Sequence, residues 1–256
     1  RTAAVASMLL TLTLASSYVL HGGQASRHIR PAARVVMEEA AMFPESEPIQ
    51  DNLFDLLMIA AFRSAMGSIV GWQSAKPFFA QEPGESYEGL VEVSRHLFAS
   101  STDETAERVK GVLRAFPTAP QFLQNNRAGC EVLGALTPLL FPFLVGECAV
   151  ESWDHPAGEQ WRSRVVIKKC RFLEGSKCKG MCVALCKEPT EQFFTEELGL
   201  PVSMEPNFED GSCTMTWGDM PKGLSPDQDF RCYQHCGLRQ EKAHQRPTSE
   251  CDFLER

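Results

Sequence analysis

The chain has 256 residues, of which 43% are hydrophobic and 23% are charged, and its formal net charge is −8. This composition is typical of a folded globular protein and excludes a disordered or collagen-like chain. The acidic balance also argues against a nucleic-acid-binding protein, which normally presents a basic face.

The N-terminal segment differs in charge from the rest of the chain. Residues 1–36 carry four arginines and no acidic residue. An apolar run over residues 3–20 is followed by small residues and then by a short arginine-rich stretch, an order typical of a signal peptide joined to a transit peptide. We therefore expect residues 1–36 to be the cleaved leader of a plastid enclosed by extra membranes, followed by a linker over 37–51. The alternative is a membrane anchor, because eighteen apolar residues can just cross a bilayer.

Three helices are predicted in the first half of the remaining chain. Apolar residues recur at helical spacing over 51–72 and 88–99, with a loop between them at 76–87. A third helix is expected over about 102–116, where Ser101 and Glu104 have the spacing of a capping box.

A strongly apolar segment and a β-hairpin are predicted next. Residues 132–144 contain two prolines, and we expect them to form a buried segment or one wall of an apolar pocket. Residues 147–153 and 161–167 are predicted strands, joined by a turn at 154–158. Together these patterns predict an α+β fold with a helical N-terminal half, a β-hairpin, and a cysteine-rich C-terminal half of short helices and strands. We expect one domain over 52–240 and a C-terminal tail over 241–256.

Eight of the ten cysteines lie between Cys170 and Cys251, which suggests one chemical site. Cys178, Cys182 and Cys186 are spaced four residues apart, so on a regular helix each step would turn the face by only about 40°. The outer two thiols would be about 12 Å apart, too far for one zinc ion. This spacing favours an iron–sulfur cluster, or a helix that unwinds near Gly180. The candidate metal ligands are Cys170, Cys178, Cys182, Cys186, Cys213, Cys232 and Cys236, with His235 near the last pair. Cys130 and Cys148 are interpreted as packing residues.

The cysteine-rich block resembles a known family. The stretch IKKCRFLEGSKCKGMCVALCKEPTEQFFTEELGLPVSMEPNFEDGSC (167–213) is similar to the plant plastid β-carotene isomerase family, known as dwarf twenty-seven. So are GLVEVSRHLF (89–98) and FLVGECAV (143–150). The proline-rich turn that follows this block in the family is MPKGL (220–224) in this chain.

The resemblance implies an iron-dependent cis/trans isomerase of β-carotene or a related carotenoid, located in a plastid, either in the stroma or at a membrane. Because three thiols would share one helical face within the block that carries this resemblance, we predict that Cys178, Cys182 and Cys186 hold the iron, alone or as an iron–sulfur cluster, with Cys213 or Cys170 as the fourth ligand. The expected partner is a carotenoid or other apolar polyene, with association at a thylakoid or envelope membrane and no nucleic acid. Two alternatives stay open: an iron–sulfur electron carrier or redox sensor, and a non-catalytic carotenoid-binding or photosynthetic-complex subunit.

A polyene substrate needs a long apolar slot. The predicted substrate-binding walls are Phe141, Phe143, Phe193 and Phe194, with Phe54 and Phe62 as further candidates. Isomerisation lowers the order of an inner double bond, which one electron from an iron centre or reversible addition of a cysteine sulfur would achieve. No catalytic acid–base pair is assigned, because His96 and His155 are interpreted as surface or satisfied residues. Asn207, Glu209 and Asp210 either orient a cluster ligand or form a polar turn.

Overall fold

The structure is a computed structural model that describes residues 49–99, 105–114, 124, 126–227, 231–233 and 236. The expected leader, most of the linker and the C-terminal tail lie outside these residues.

Helix α1 (Leu53–Val70) begins at a capping box, in which the Asn52 side chain accepts from the Asp55 N–H and the Asp55 side chain accepts from the Asn52 N–H. The helix ends at Gly71, whose left-handed φ of 70° suits glycine. The first predicted helix is therefore confirmed.

Helix α2 (Glu85–Ala99) begins three residues before its predicted start, and α3 is Thr105–Leu113. The capping box predicted for α3 lies outside the described residues.

Helix α1 has the length and apolar composition of a membrane span. However, its Arg63 is fully buried and donates to the carbonyls of Ser74 (2.7 Å), Lys76 (2.7 Å) and Pro77 (3.2 Å). These hydrogen bonds from a buried arginine to the following loop are typical of a helix that packs in a globular protein.

The apolar segment forms α4 (Arg127–Leu140) and the short α5 (Pro142–Val145). Of the two expectations for residues 132–144, a buried segment or one wall of an apolar pocket, the first is wrong for α4, because Val132, Leu136, Leu139 and Leu140 are exposed. The opposite face of α4 packs closely on the sheet. A Cβ at Gly134 would lie only 2.9 Å from Cα of Ser163, so glycine permits this close approach.

The predicted hairpin is confirmed and belongs to a larger sheet. Strands β1 (Cys148–Asp154) and β2 (Gln160–Ile167) pair antiparallel, and β3 (Val202–Pro206) and β4 (Cys213–Trp217) complete the order β1-β2-β4-β3. The Ser163 hydroxyl accepts from Nε1 of Trp153 (2.9 Å) and donates to the Trp217 carbonyl (2.7 Å). This buried pair of bonds ties the hairpin to β4.

Between β2 and β3 the chain is helical. After α6 (Arg171–Ser176) come four consecutive pieces: α7 (Lys179–Cys182), a π-helical turn π1 (Val183–Lys187), α8 (Glu188–Gln192) and a second turn π2 (Phe193–Glu197). We call these four pieces the segmented helix. It packs against α2 and α3 on one side and against β3 on another, so the core lies between the N-terminal helices and the cysteine-rich half.

Candidate functional site

The segmented helix places the three regularly spaced cysteines differently from a uniform helix. Cys178 precedes α7 in an extended conformation with φ −144°. Cys182 is the last residue of α7, and Cys186 lies within π1. A π-turn changes the residue spacing of the helix and is frequent at functional sites. The prediction that all three thiols share one face of a regular helix is therefore replaced by an arrangement in which only Cys182 and Cys186 are helical.

Four thiols lie close enough to influence one another electrostatically: Cys170 before α6, Cys182, Cys186 and Cys213 at the start of β4. Cys170, Cys182 and Cys213 are buried, and Cys186 is partly buried. Burial raises the pKa of Cys182 well above the ordinary thiol value, and negative charge on Cys186, Cys170 or Cys213 would raise it further. Burial likewise raises the pKa of Cys186 to about 12. All four thiols are therefore protonated at neutral pH in this state. Cys130, Cys148, Cys170, Cys182, Cys186 and Cys213 are free thiols.

A buried lysine lies beside these thiols. Nζ of Lys187 donates to Glu191 Oε1 (2.6 Å) and to the Lys222 carbonyl (2.7 Å). The same Glu191 oxygen accepts from the N–H of Met204 in β3 (2.7 Å), although burial raises the pKa of Glu191. The positive charge of Lys187 lowers the pKa values of Cys182 and Cys213, but this effect is smaller than that of burial.

The donor chemistry of these four thiols suits iron, but their geometry does not form a site. Thiolates are the ligands of iron–sulfur clusters. Within the part of the chain that the structure describes, however, no three Cys, His, Asp or Glu side chains converge to hold one ion. Cys178 and Cys236 are buried and Cys232 is partly buried, with Tyr233 between the last two in sequence. His235 lies outside the described residues, and the ligand assignments stay predictions.

An apolar cavity opens beside Cys186. It is lined by residues from seven elements, and Cys186 is the only cysteine among them. The lining residues are Phe62, Met66, Leu90, Ser94, Val109, Val112, Leu113, Leu144, Phe172, Leu185, Cys186 and Thr190. Ser94 turns its hydroxyl to the Leu90 carbonyl (2.8 Å), so this polar side chain is satisfied by its own helix. The accessible volume is about 60 Å³, well below the roughly 300–1,000 Å³ of typical ligand pockets. A polyene must widen this cavity in order to enter it.

The predicted aromatic walls fall into two groups. Phe143 is buried and packs on Phe62, with ring centroids 5.6 Å apart, and on Phe141 at 6.1 Å. This group lies next to the cavity, and Phe62 lines it. Phe193 and Phe194 belong to π2 and contact each other at 5.2 Å, and Phe194 meets Trp217 of the sheet at 4.8 Å. The structure therefore separates the two pairs that the sequence grouped together.

Sequence reasoning missed the walls that α1, α2 and α3 supply, including Met66, Leu90, Val109 and Val112. Their helical periodicity marks them as core residues but does not reveal which part of the core opens into a cavity. The two histidines form ring contacts: His155 stacks on Trp161 at 3.8 Å and His96 on Trp72 at 4.7 Å.

The polar stretch before Cys213 is a tight turn. Asn207 accepts from the N–H of Glu209 (2.9 Å), and Asp210 accepts from the N–H of Ser212 (2.8 Å). These local bonds are those of Asx turns. The Tyr233 hydroxyl also donates to the Phe208 carbonyl (2.8 Å), which fixes the turn against the C-terminal cysteines.

The fold and the site together define a thiol-rich α+β protein whose buried cysteines adjoin an apolar cavity. Residues 143–226 match the family model described as "Beta-carotene isomerase D27-like, C-terminal". The chain is 30% identical over 207 residues to "Beta-carotene isomerase D27, chloroplastic" of Medicago truncatula, an alignment that covers 77% of this chain and 78% of that protein. It is also 30% identical over 199 residues to the protein of the same name from Arabidopsis thaliana, covering 73% of this chain and 72% of that protein. No solved structure matches. The chain belongs to the β-carotene isomerase D27-like family, as the sequence resemblance indicated.

Proposed function

We propose that this protein is a plastid carotenoid cis/trans isomerase whose reaction site is the apolar cavity beside Cys186. The proposal rests on one observation above all: a thiol on a π-helical turn opens into a cavity whose other walls are almost entirely apolar. The names of the two relatives support the substrate class and the plastid location in this proposal. A thiol that lines an apolar cavity favours an isomerase over an electron carrier, which needs its redox group near the surface.

The apolar walls would bind the polyene in an extended form and exclude water from it. Rotation requires an inner double bond to become single for a moment. In an addition route, the Cys186 sulfur bonds to one carbon of that double bond, rotation follows, and cleavage of the same C–S bond restores the polyene and the sulfur.

The state of the sulfur follows from its surroundings. Because burial raises the pKa of Cys186 to about 12, the charged thiolate is disfavoured there. The neutral thiyl radical is the reactive form that an apolar wall tolerates. It forms when a one-electron oxidant takes an electron from the thiol and the proton leaves.

Iron dependence is the finer part of this proposal. It is supported by the family resemblance and by the four neighbouring thiols, which are the donor type that iron–sulfur clusters use. Because the described donors do not converge on one ion, no step above is assigned to iron. Anaerobic purification followed by metal analysis tests this part: Cys182→Ser should lose most of the bound iron, while Cys130→Ser should keep it. Retention of full iron by Cys182→Ser would overturn the assignment of Cys182 as a ligand.

The function itself is tested by following both isomers. Purified protein is incubated anaerobically with a one-electron oxidant and with all-trans or with 9-cis β-carotene in detergent micelles, and the isomers are separated by liquid chromatography. Both reactions should approach the same isomer ratio. Cys186→Ala should slow turnover by about 100-fold, whereas Cys130→Ala, a buried cysteine away from the cavity, should stay within about twofold. A wild-type protein that leaves both isomers unchanged would refute the proposal.

A further inference from the structure

Helix α4 presents a continuous apolar face to solvent. Val132, Leu136, Leu139 and Leu140 have exposed fractions of 40%, 37%, 72% and 40%. No charged residue occurs from 132 to 146. Because Gly134 holds the opposite face against β2, this apolar face cannot turn inward without breaking that packing. A soluble monomer rarely leaves such a patch uncovered, and patches of this kind mark contact surfaces.

Helix α1 carries a second apolar face at its N-terminal end. Leu53, Phe54 and Leu57 have exposed fractions of 70%, 46% and 52%. Phe54 begins a row at steps of four residues that continues through Met58 to Phe62 and Met66. Phe54 is at the surface, Met58 is partly buried, and Phe62 and Met66 line the cavity. The row therefore leads from the surface to the candidate reaction site.

The face of α4 leads to the same cavity. Leu140 is followed by Phe141, and Leu144, one turn further along the chain, lines the cavity. Phe143 connects the two helices, because its ring packs both on Phe62 of α1 and on Phe141 at the end of α4. We define the apolar docking face as Leu53, Phe54 and Leu57 of α1 together with Val132, Leu136, Leu139 and Leu140 of α4.

We propose that the apolar docking face rests on a lipid bilayer with uncharged headgroups and takes the polyene from it into the cavity. This inference rests on the proposed function, since a long hydrocarbon polyene dissolves in a bilayer and not in water. The net charge of −8 would repel an anionic surface, and the face itself carries no charge. Binding should therefore be hydrophobic and insensitive to salt. The buried Arg63, tied to the loop after α1, means that α1 lies on the bilayer and does not cross it.

Flotation of the full chain with vesicles of phosphatidylcholine tests the face directly. The wild type should float with the vesicles equally at 0.1 M and at 1 M salt. The variants Leu53→Ser/Leu57→Ser and Leu136→Ser/Leu139→Ser should each lower the vesicle-bound fraction by about tenfold. The matched control Phe79→Ser/Met220→Ser removes two equally exposed large side chains outside the face and should float like the wild type.

Several outcomes would overturn the proposal. One is a wild type that stays with the soluble fraction; another is a wild type that binds only anionic vesicles. In a third outcome, the face variants bind the vesicles as well as the wild type does. Binding would then belong to the N-terminal apolar run over residues 3–20 and not to the docking face. A wild type that elutes as a stable dimer, with face variants that are monomeric, would identify a second copy as the occupant.

The same variants separate this proposal from the proposed function. They should isomerise β-carotene in detergent micelles at the wild-type rate but act about tenfold more slowly on β-carotene embedded in vesicles. If the wild type acts on neither substrate, the proposed function fails while the flotation result still decides the docking face. If the face variants act equally well on vesicles, the docking proposal fails alone.

Discussion

The helical N-terminal half and the cysteine-rich C-terminal half contribute different things to the cavity. Seven of its twelve lining residues lie on α1, α2 and α3, before the region that the family model matches. The other five, which include Cys186, lie within the matched residues 143–226. The C-terminal half therefore supplies the Cys186 sulfur, and the N-terminal half supplies most of the apolar wall. We expect that substrate selectivity can vary with the N-terminal helices while the chemistry stays with the C-terminal half.

The strongest test of how the halves depend on each other is Arg171→Met. Arg171 donates to both carboxylate oxygens of Asp51 (2.6 and 2.8 Å) and to the Phe143 carbonyl (2.9 Å), and both side chains of the ion pair are buried. Its loss leaves the Asp51 charge buried without a partner, which costs about 3–5 kcal/mol of unfolding free energy. Urea denaturation measures this loss.

The matched control is Arg127→Met. Arg127 pairs with Glu131 and Glu159 at the surface, and exposed ion pairs contribute little to the free energy of unfolding. Equal losses in the two variants would mean that the Asp51–Arg171 pair does not hold the halves together.

The pH dependence of stability distinguishes free thiols from metal ligands in the C-terminal half. A buried thiol with a pKa of about 12, against 9.0 for the ordinary group, stabilises the fold below pH 9, and this contribution is lost as the pH rises through 12. Each such thiol should lower the unfolding free energy by about 1 kcal/mol between pH 9 and pH 10, as its unfolded form ionises. Thiolates bound to iron would give the opposite trend, with stability lost on acidification. Denaturation curves at pH 6, 8, 9 and 10 separate the two cases.

A larger side chain on the N-terminal wall should narrow the cavity and impair substrate binding without affecting the thiols. Val109→Phe adds a ring to the lining of the cavity, far in sequence from the thiols. We expect the KM for β-carotene in detergent to rise by about tenfold, a change of 1.4 kcal/mol. The number of free thiols, counted by titration, should be unchanged. Val150→Phe, on β1 and outside the cavity, should leave the KM unaltered, and a rise in this variant equal to that of Val109→Phe would show that the cavity is not the binding site.

The sequence predicts the local elements well because their signals are local. The apolar spacing over 51–72 marks α1, and the turn after Asp154, in which the Ala157 N–H donates to the His155 side chain, marks the hairpin. The family also follows from the sequence, since the cysteine block carries it. The register of the cysteines does not follow from the sequence, because the start of α7 after Cys178 depends on packing against α2 and α6, and the π-turn at Cys186 depends on packing against α2 and α3. For the same reason, the sequence marks Leu90 and Val112 as core residues but not as cavity walls.

The central claim is that a polyene lies against the Cys186 thiol. Its most direct test is the modification of single thiols by N-ethylmaleimide with and without β-carotene, with each cysteine-containing peptide quantified by mass spectrometry. Cys148 is a suitable internal reference, because it is partly exposed on β1 and burial raises its pKa to about 11. Bound β-carotene should slow modification of Cys186 by about tenfold and leave Cys148 unchanged. If saturating β-carotene leaves the rate at Cys186 unchanged, the polyene does not occupy this cavity and the account is wrong.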